Sequence, residues 1–191
     1  RGYGIQLANC KDTIVQDNVI AHNTTQPYGV AISVEISNES ACDNLNIIDN
    51  YAFNWLGATM KVSLIGESDY DLKIKRNHFD GYYQAGLGES FVLRLNETEL
   101  ASEIEFQDNT YYVDSVPVFA WIGNQWLDYG QWQASANDVG SVNEAHLAGR
   151  WDSLTIEAYQ ASIGQSPTLN SFMAGARKQQ RDAWDSQYTS D

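Results

Sequence analysis

The chain has 191 residues, a length that suits one domain with at most a small appendage. Its hydrophobic fraction of 43% and charged fraction of 19% are ordinary for a globular protein and argue against disorder. A formal net charge of −14 argues against partners such as nucleic acid and anionic membranes, both of which need basic patches. No apolar run approaches the roughly 18 residues that a membrane-spanning helix requires.

The chain enters a strand pattern at once, in residues 4–7. Neither a starting methionine nor a signal peptide precedes this strand. We therefore expect the natural protein to carry further coils of the same architecture before residue 1, and we expect this N-terminal part to be a partner of the present chain.

Four segments of the chain align on a single asparagine, at spacings of 32, 27 and 32 residues. In each segment apolar residues occupy alternate positions before the asparagine, and an apolar or aromatic residue follows two positions after it, as in a strand with one inward face. Repetition at this period indicates stacked coils. Stacked side-chain amides can hydrogen-bond along a ladder and satisfy the backbone of each turn. The four predicted ladder residues are Asn18, Asn50, Asn77 and Asn109.

The residue just before each ladder asparagine should point outward and form a stripe of charges. Arg76 would then lie between two acids, Asp49 and Asp108, with Asp17 at the first position. We interpret this stripe as structural.

A second strand precedes each of these segments. It is marked by alternating apolar and polar residues at 32–36, 60–64 and 91–95. Aligning these strands puts Glu35, Ser63 and Arg94 in one outward row, with Lys61 diagonal to Glu35. Each coil is thus predicted to be a strand, a turn, a second strand and a second turn, and residues 118–122 are expected to close the stack.

The composition changes after Ile122, where the period ends and aromatic residues crowd 121–132. We assign 1–125 to the coils and 126–191 to a helical and aromatic C-terminal cap and tail. The open end of a β-helix must be covered against edge pairing, and the aromatic segment is the natural lid. A platform for stacking a sugar ring, with Trp126 as a substrate-binding residue, is the alternative.

With these coils the chain resembles the right-handed parallel β-helix superfamily of pectate lyases, related polysaccharide lyases and glycoside hydrolases. Residues 121–141 and 172–189 look like the C-terminal end of secreted bacterial β-helix proteins. The resemblance implies an all-β fold, a right-handed parallel β-helix of about four to five coils with a small helical C-terminal cap. It also implies a secreted or cell-surface protein that acts on or binds polysaccharide. Tailspikes and adhesins share the fold, so the fold does not decide the function.

The expected function is a carbohydrate-active β-helix, part of a polysaccharide lyase or a glycoside hydrolase. The alternative is a non-catalytic polysaccharide-binding, adhesin-like or tailspike-like module. The chain has no Asp-Asp pair and no Gly-His-Gly, so no hydrolase residue is carried over from the resemblance.

The candidate site is the outward face of the second-strand sheet. A carboxylate beside two cations can position an acidic sugar and supply a base. A solvated face of ion pairs is the alternative. The proposed catalytic residues are Lys61, Arg94, Glu35 and Tyr83, and the proposed substrate-binding residues are Tyr82 and Trp126.

Two further features leave alternatives open. Glu67, Asp69 and Asp71 alternate along one loop and are weak candidates for Ca²⁺, so calcium is a possible cofactor and none is certain. Cys10 and Cys42 share one phase in adjacent coils, within reach of a disulfide, and the sequence leaves a disulfide and two free thiols equally open.

Overall fold

The computed structural model describes ten stretches of the chain: 2–21, 29–37, 42–55, 57–65, 70–81, 91–98, 100–112, 118–144, 160–161 and 164–178. The chain divides into two compact units, residues 1–146 and 147–191. The first unit is a parallel β-solenoid of about four turns, which confirms the predicted parallel β-helix.

Each complete coil contributes one strand to each of three sheets, where the sequence predicted two strands per coil. Strands are numbered along the chain. Sheet A contains, in spatial order, β1 (Gly2–Ala8), β4 (Gly29–Ser37), β7 (Ala58–Ile65), β10 (Phe91–Leu95), β13 (Ala120–Ile122) and the antiparallel β14 (Gln125–Leu127). Sheet B contains β2 (Thr13–Gln16), β5 (Cys42–Ile48), β8 (Tyr70–Lys75), β11 (Glu105–Gln107) and β15 (Asp138–Val139). Sheet C contains β3 (Val19–Ala21), β6 (Tyr51–Trp55), β9 (His78–Gly81), β12 (Thr110–Tyr112) and β16 (Val142–Glu144).

The third strand arises from a sharp corner just before each ladder asparagine. The corner residues have left-handed backbone conformations: Asp17 (φ 55°), Asp49 (φ 55°), Arg76 (φ 53°) and Asp108 (φ 53°). Aspartate tolerates this region better than most residues, whereas arginine has no such preference. The charged residues of the predicted stripe thus occupy the sharp corners of successive coils. Arg76 donates from Nε and Nη2 to the two carboxylate oxygens of Asp49, at 2.8 Å each.

The asparagine ladder is confirmed. Asn77 is fully buried, and its Nδ2 donates to Oδ1 of Asn109 at 3.1 Å and to the carbonyl of Ile47 at 2.9 Å. Its own Oδ1 accepts from the backbone N–H and the Nδ2 of Asn50, both at 3.0 Å. Asn18 makes the same pair of bonds to Asn50 at the first corner. Each amide therefore joins neighbouring coils and satisfies buried backbone groups.

The coils continue beyond Ile122, where the sequence indicated their end. Strands β15 and β16 pair in parallel with β11 and β12. Ser141 takes the ladder position, accepting at 2.9 Å from the backbone N–H of Asn109, and Gly140 takes the corner position with φ 75°. The first compact unit accordingly ends at His146, later than the predicted boundary at 125.

The aromatic segment covers the core at this end of the stack, as predicted for a lid. Helix α1 (Leu100–Glu103) lies in the fourth coil, and helix α2 (Tyr129–Ser135) begins with a capping box between Asp128 and Gln131. On α2, Trp132 is fully buried and packs edge-on against Phe106 with ring centroids 5.0 Å apart.

A half-buried carboxylate connects the lid to the core. One oxygen of Asp138 accepts from the indole Nε1 of Trp132 at 2.7 Å and from the hydroxyl of Tyr111 at 3.0 Å. Its other oxygen accepts from Ser141. Burial, together with this carboxylate, raises the pKa of Tyr111 well above its usual value, so the phenol remains a donor.

The second unit contains helix α3 (Leu169–Lys178). The backbone N–H of Ser171 donates to the Thr168 hydroxyl at 3.2 Å, which caps the start of the helix.

Candidate functional site

The outer face of sheet A brings the two predicted cations together. Parallel register places Ser33, Lys61, Arg94 and Trp121 opposite one another on four neighbouring strands. The positions on either side of this row are core residues, so the side chains of the row project outward. We call three members of this row, Lys61, Arg94 and Trp121, the cation–aromatic column.

The predicted arrangement of charges on this face was wrong in one respect. Glu35 pairs with Ser63 as expected, but Arg94 lies opposite Lys61 and not opposite Ser63. The two cations are therefore direct neighbours across one rung, and Glu35 belongs to the next outward row. This brings the positive charges closer together than the alignment of the sequence indicated.

An aromatic surface continues the column toward the lid. The Arg94 guanidinium carbon lies 4.1 Å from the centroid of the Trp121 ring, a cation–π contact. Trp121 stacks on Trp126 across the β13–β14 hairpin, with centroids 5.8 Å apart and planes inclined by 16°. Phe91 packs against Trp126 at 4.8 Å. Trp126 nevertheless remains 50% exposed, whereas Trp132 of the same segment is buried.

Lys61 differs from most other cations in the described part of the chain. It has no ion-pair partner among the described residues and is only partly buried. Elsewhere acids neutralise the cations in four ion pairs: Lys11–Asp43, Lys73–Asp71, Lys75–Glu105 and Arg76–Asp49. In a protein with net charge −14, Lys61 is therefore a cation that none of the described acids neutralises.

Two serines add hydroxyl groups to the same face. Ser33, beside Lys61 in the row, is fully buried, and its hydroxyl has no hydrogen-bond partner in the part of the chain that the structure describes. Ser63, opposite Glu35, is 8% exposed, and Glu35 itself is partly buried. A buried hydroxyl without a hydrogen-bond partner is uncommon in folded proteins.

The remaining predicted site residues are not brought to this face by the described structure. Tyr82, Tyr83, Glu67 and Asp69 lie outside the described residues. Asp71 lies on β8 and accepts from Lys73 at 2.9 Å, so its carboxylate serves an ion pair. Across the described stretches no three His, Cys, Asp or Glu residues group as metal ligands. The calcium prediction therefore has no geometric support within them.

Cys10 and Cys42 are both free thiols in the structure. Cys42 is fully buried, and burial raises the pKa of its thiol, whereas a hydrogen bond from the backbone of Cys10 acts in the opposite direction. A raised pKa makes this thiol a poor nucleophile.

Trp121 was missed as a site residue because the sequence assigned it to the lid. The alternation of apolar residues does place Trp121 at an outward position of β13, as it places Arg94 at an outward position of β10. The alternation does not show that these two residues lie opposite each other, as they do in the structure.

A scan against protein-family models, a search of curated proteins and a search of solved structures each found no match for this chain. Within the described stretches, none of the helices has the length and apolar character needed to span a bilayer.

Proposed function

We propose that the outer face of sheet A binds an acidic polysaccharide, and that the protein works outside the cell, secreted or at the cell surface. The observation that carries the proposal is the cation–aromatic column, in which Lys61 and Arg94 are adjacent beside Trp121 and the exposed Trp126. Polysaccharide recognition in a concave or flat protein face combines apolar surface with a few fixed polar groups, and this face supplies both.

Electrostatics favour an anionic ligand at this face. The net charge of −14 repels polyanions in general, so a uronate chain needs a local cluster of cations. Lys61 lacks an acidic partner in the described part of the chain, and the Trp121 ring orients the guanidinium of Arg94. A pre-oriented cation loses less conformational entropy when it binds a carboxylate.

The aromatic surface supplies the apolar part of the site. Sugar rings present C–H faces, and the half-exposed indole of Trp126 presents a broad apolar surface next to the cations. Phe91 and Trp121 hold that indole in place, at centroid distances of 4.8 Å and 5.8 Å.

Binding assays with matched variants test this proposal. Polygalacturonate and alginate should bind at low salt, dextran should not, and added salt should weaken the binding. Lys61→Gln should raise the dissociation constant about tenfold, which corresponds to a loss of about 1.4 kcal/mol of binding free energy. Lys73→Gln removes a lysine that already has an acidic partner and is the matched control. Equal affinity of both variants, or no binding of either polyuronate, would contradict the proposal.

Cleavage of the bound polyuronate is the second candidate function, and Glu35 is the observation that favours it. Its carboxylate lies one row from Lys61 and Arg94. The face therefore combines a carboxylate that can act as a general base with cations that can neutralise a substrate carboxylate. A lyase would release an unsaturated product that absorbs ultraviolet light, and a hydrolase would release reducing ends alone. Binding without either product would identify a non-catalytic module.

A further inference from the structure

Three rings stack on the outer face of sheet C, away from the cation–aromatic column. Tyr51 on β6 and His78 on β9 lie opposite each other, with ring centroids 4.4 Å apart and planes inclined by 12°. Tyr112 on β12 follows at 5.9 Å and 17° from His78. We call these residues the ring stack. Together they cross three coils; Tyr51 and His78 are partly buried, and Tyr112 is buried.

Hydrogen bonding in the ring stack leaves one imidazole nitrogen for a ligand. The Tyr112 hydroxyl lies 3.0 Å from Nδ1 of His78. Burial, then the Glu144 carboxylate, raises the pKa of Tyr112, and burial lowers the pKa of His78, so around neutral pH both rings are uncharged. One tautomer that fits this contact has the phenol donating to Nδ1 and the imidazole proton on Nε2. The described residues offer no acceptor to that Nε2–H.

We propose that the ring stack is a second ligand site and that its ligand is an uncharged sugar. The Nε2–H of His78 donates to a sugar oxygen, and the exposed carboxylate of Glu144 accepts from a sugar hydroxyl. Glu144 lies opposite Tyr112 on β16, one rung from it. A donor beside an acceptor suits hydroxyl groups, which both donate and accept.

The charges around the ring stack disfavour an anionic ligand. The carboxylates of Glu144 and Asp49 both act on His78, and Asp80 lies opposite Tyr112 on the other side from Glu144. The nearby cation, Arg76, is bonded to Asp49 through two nitrogens. A uronate would meet like charges here, so the two faces differ in the charge of the ligand that they accept.

The test follows the imidazole signal of His78 by nuclear magnetic resonance while oligosaccharides are added, and titration calorimetry measures the affinity of the wild type and of each variant. The probes are neutral hexasaccharides of glucose, mannose, galactose and xylose, with trigalacturonate as the anionic probe. His78→Phe assigns the signal and keeps an aromatic ring in the stack while it removes the Nε2–H. Glu144→Gln removes the charged acceptor, and Glu97→Gln, at another exposed acid, is the matched control.

We expect at least one neutral hexasaccharide to shift the His78 signal, and trigalacturonate to leave it unchanged. His78→Phe and Glu144→Gln should each weaken that binding roughly fivefold, the value of one hydrogen bond, and Glu97→Gln should not. The proposal is overturned if no neutral hexasaccharide shifts the signal, or if both variants bind as the wild type does. Because the site is separate from sheet A, neither result bears on the polyuronate proposal.

Discussion

The asparagine ladder and the outer face of sheet A use the same coil geometry in opposite ways. At the ladder, four successive coils contribute the same residue type, and each amide is bonded to its neighbours. On sheet A, four successive strands contribute serine, lysine, arginine and tryptophan to one row. The contrast shows that the position with the same residue type in successive coils holds the coils together. Departure from identity marks the row of sheet A to which we propose that a ligand binds.

The largest expected effect separates two tryptophans of the same segment. Trp132→Ala should cost about 3–5 kcal/mol of unfolding free energy, because it opens a cavity over the core and leaves the Asp138 carboxylate without its indole donor. Trp126→Ala should cost only about 1 kcal/mol, the value of its ring contacts. Urea denaturation measures both. Equal losses would mean that Trp126 belongs to the core and not to a binding face.

The next effect tests the ladder itself. Asn77→Leu removes the acceptor of two buried Asn50 donors and the donor to the Ile47 carbonyl, and each orphaned group costs about 1–3 kcal/mol. Asn18→Leu, at the half-buried first corner, should cost less. Thermal melts of the two variants compare them. An unchanged melting temperature for Asn77→Leu would contradict a structural role for the ladder.

The ladder could be predicted because its signal repeats in phase four times. Each asparagine is framed by apolar residues at fixed offsets, and a mistake in one coil would have disagreed with the other three. The fifth ladder position was not predicted because it is occupied by Ser141 in place of asparagine. Gly140 occupies the corner position that aspartate takes in most earlier coils. A serine hydroxyl accepts the same backbone hydrogen bond, but residue identity alone does not reveal the equivalence.

The register of sheet A was harder to predict, for a physical reason. Apolar residues alternate along each strand, so sliding one strand by two residues leaves every apolar side chain facing inward. The sequence alignment put Phe91 opposite Met60, and the structure puts Leu93 there. The pattern fixes which face is buried, but not which outward residues are neighbours, and the proposed site depends on those neighbours.

The smallest effect concerns pH and the ring stack. Burial lowers the pKa of His78 below its usual 6.5, against the raising influence of Glu144 and Asp49, and the rings of Tyr51 and Tyr112 flank the imidazole. The unfolded chain therefore binds the proton more readily. The stability that His78 contributes is present above its unfolded pKa and is lost as pH falls through the lower folded value.

Chemical denaturation on either side of that window measures the effect. His78→Phe should flatten the decline in stability, because the substituted ring stacks but does not titrate. If wild type and His78→Phe lose stability in parallel over the window, the imidazole is not the group responsible.

The most direct test of the central claim is protection of individual lysines from acetylation by bound polygalacturonate. Lys61 should be acetylated readily in the free protein and much more slowly when polygalacturonate is present at low salt. Lys11, which is exposed and paired with Asp43, should be modified at the same rate in both conditions. Unchanged acetylation of Lys61 in the presence of bound polygalacturonate would contradict the assignment of the binding face to sheet A.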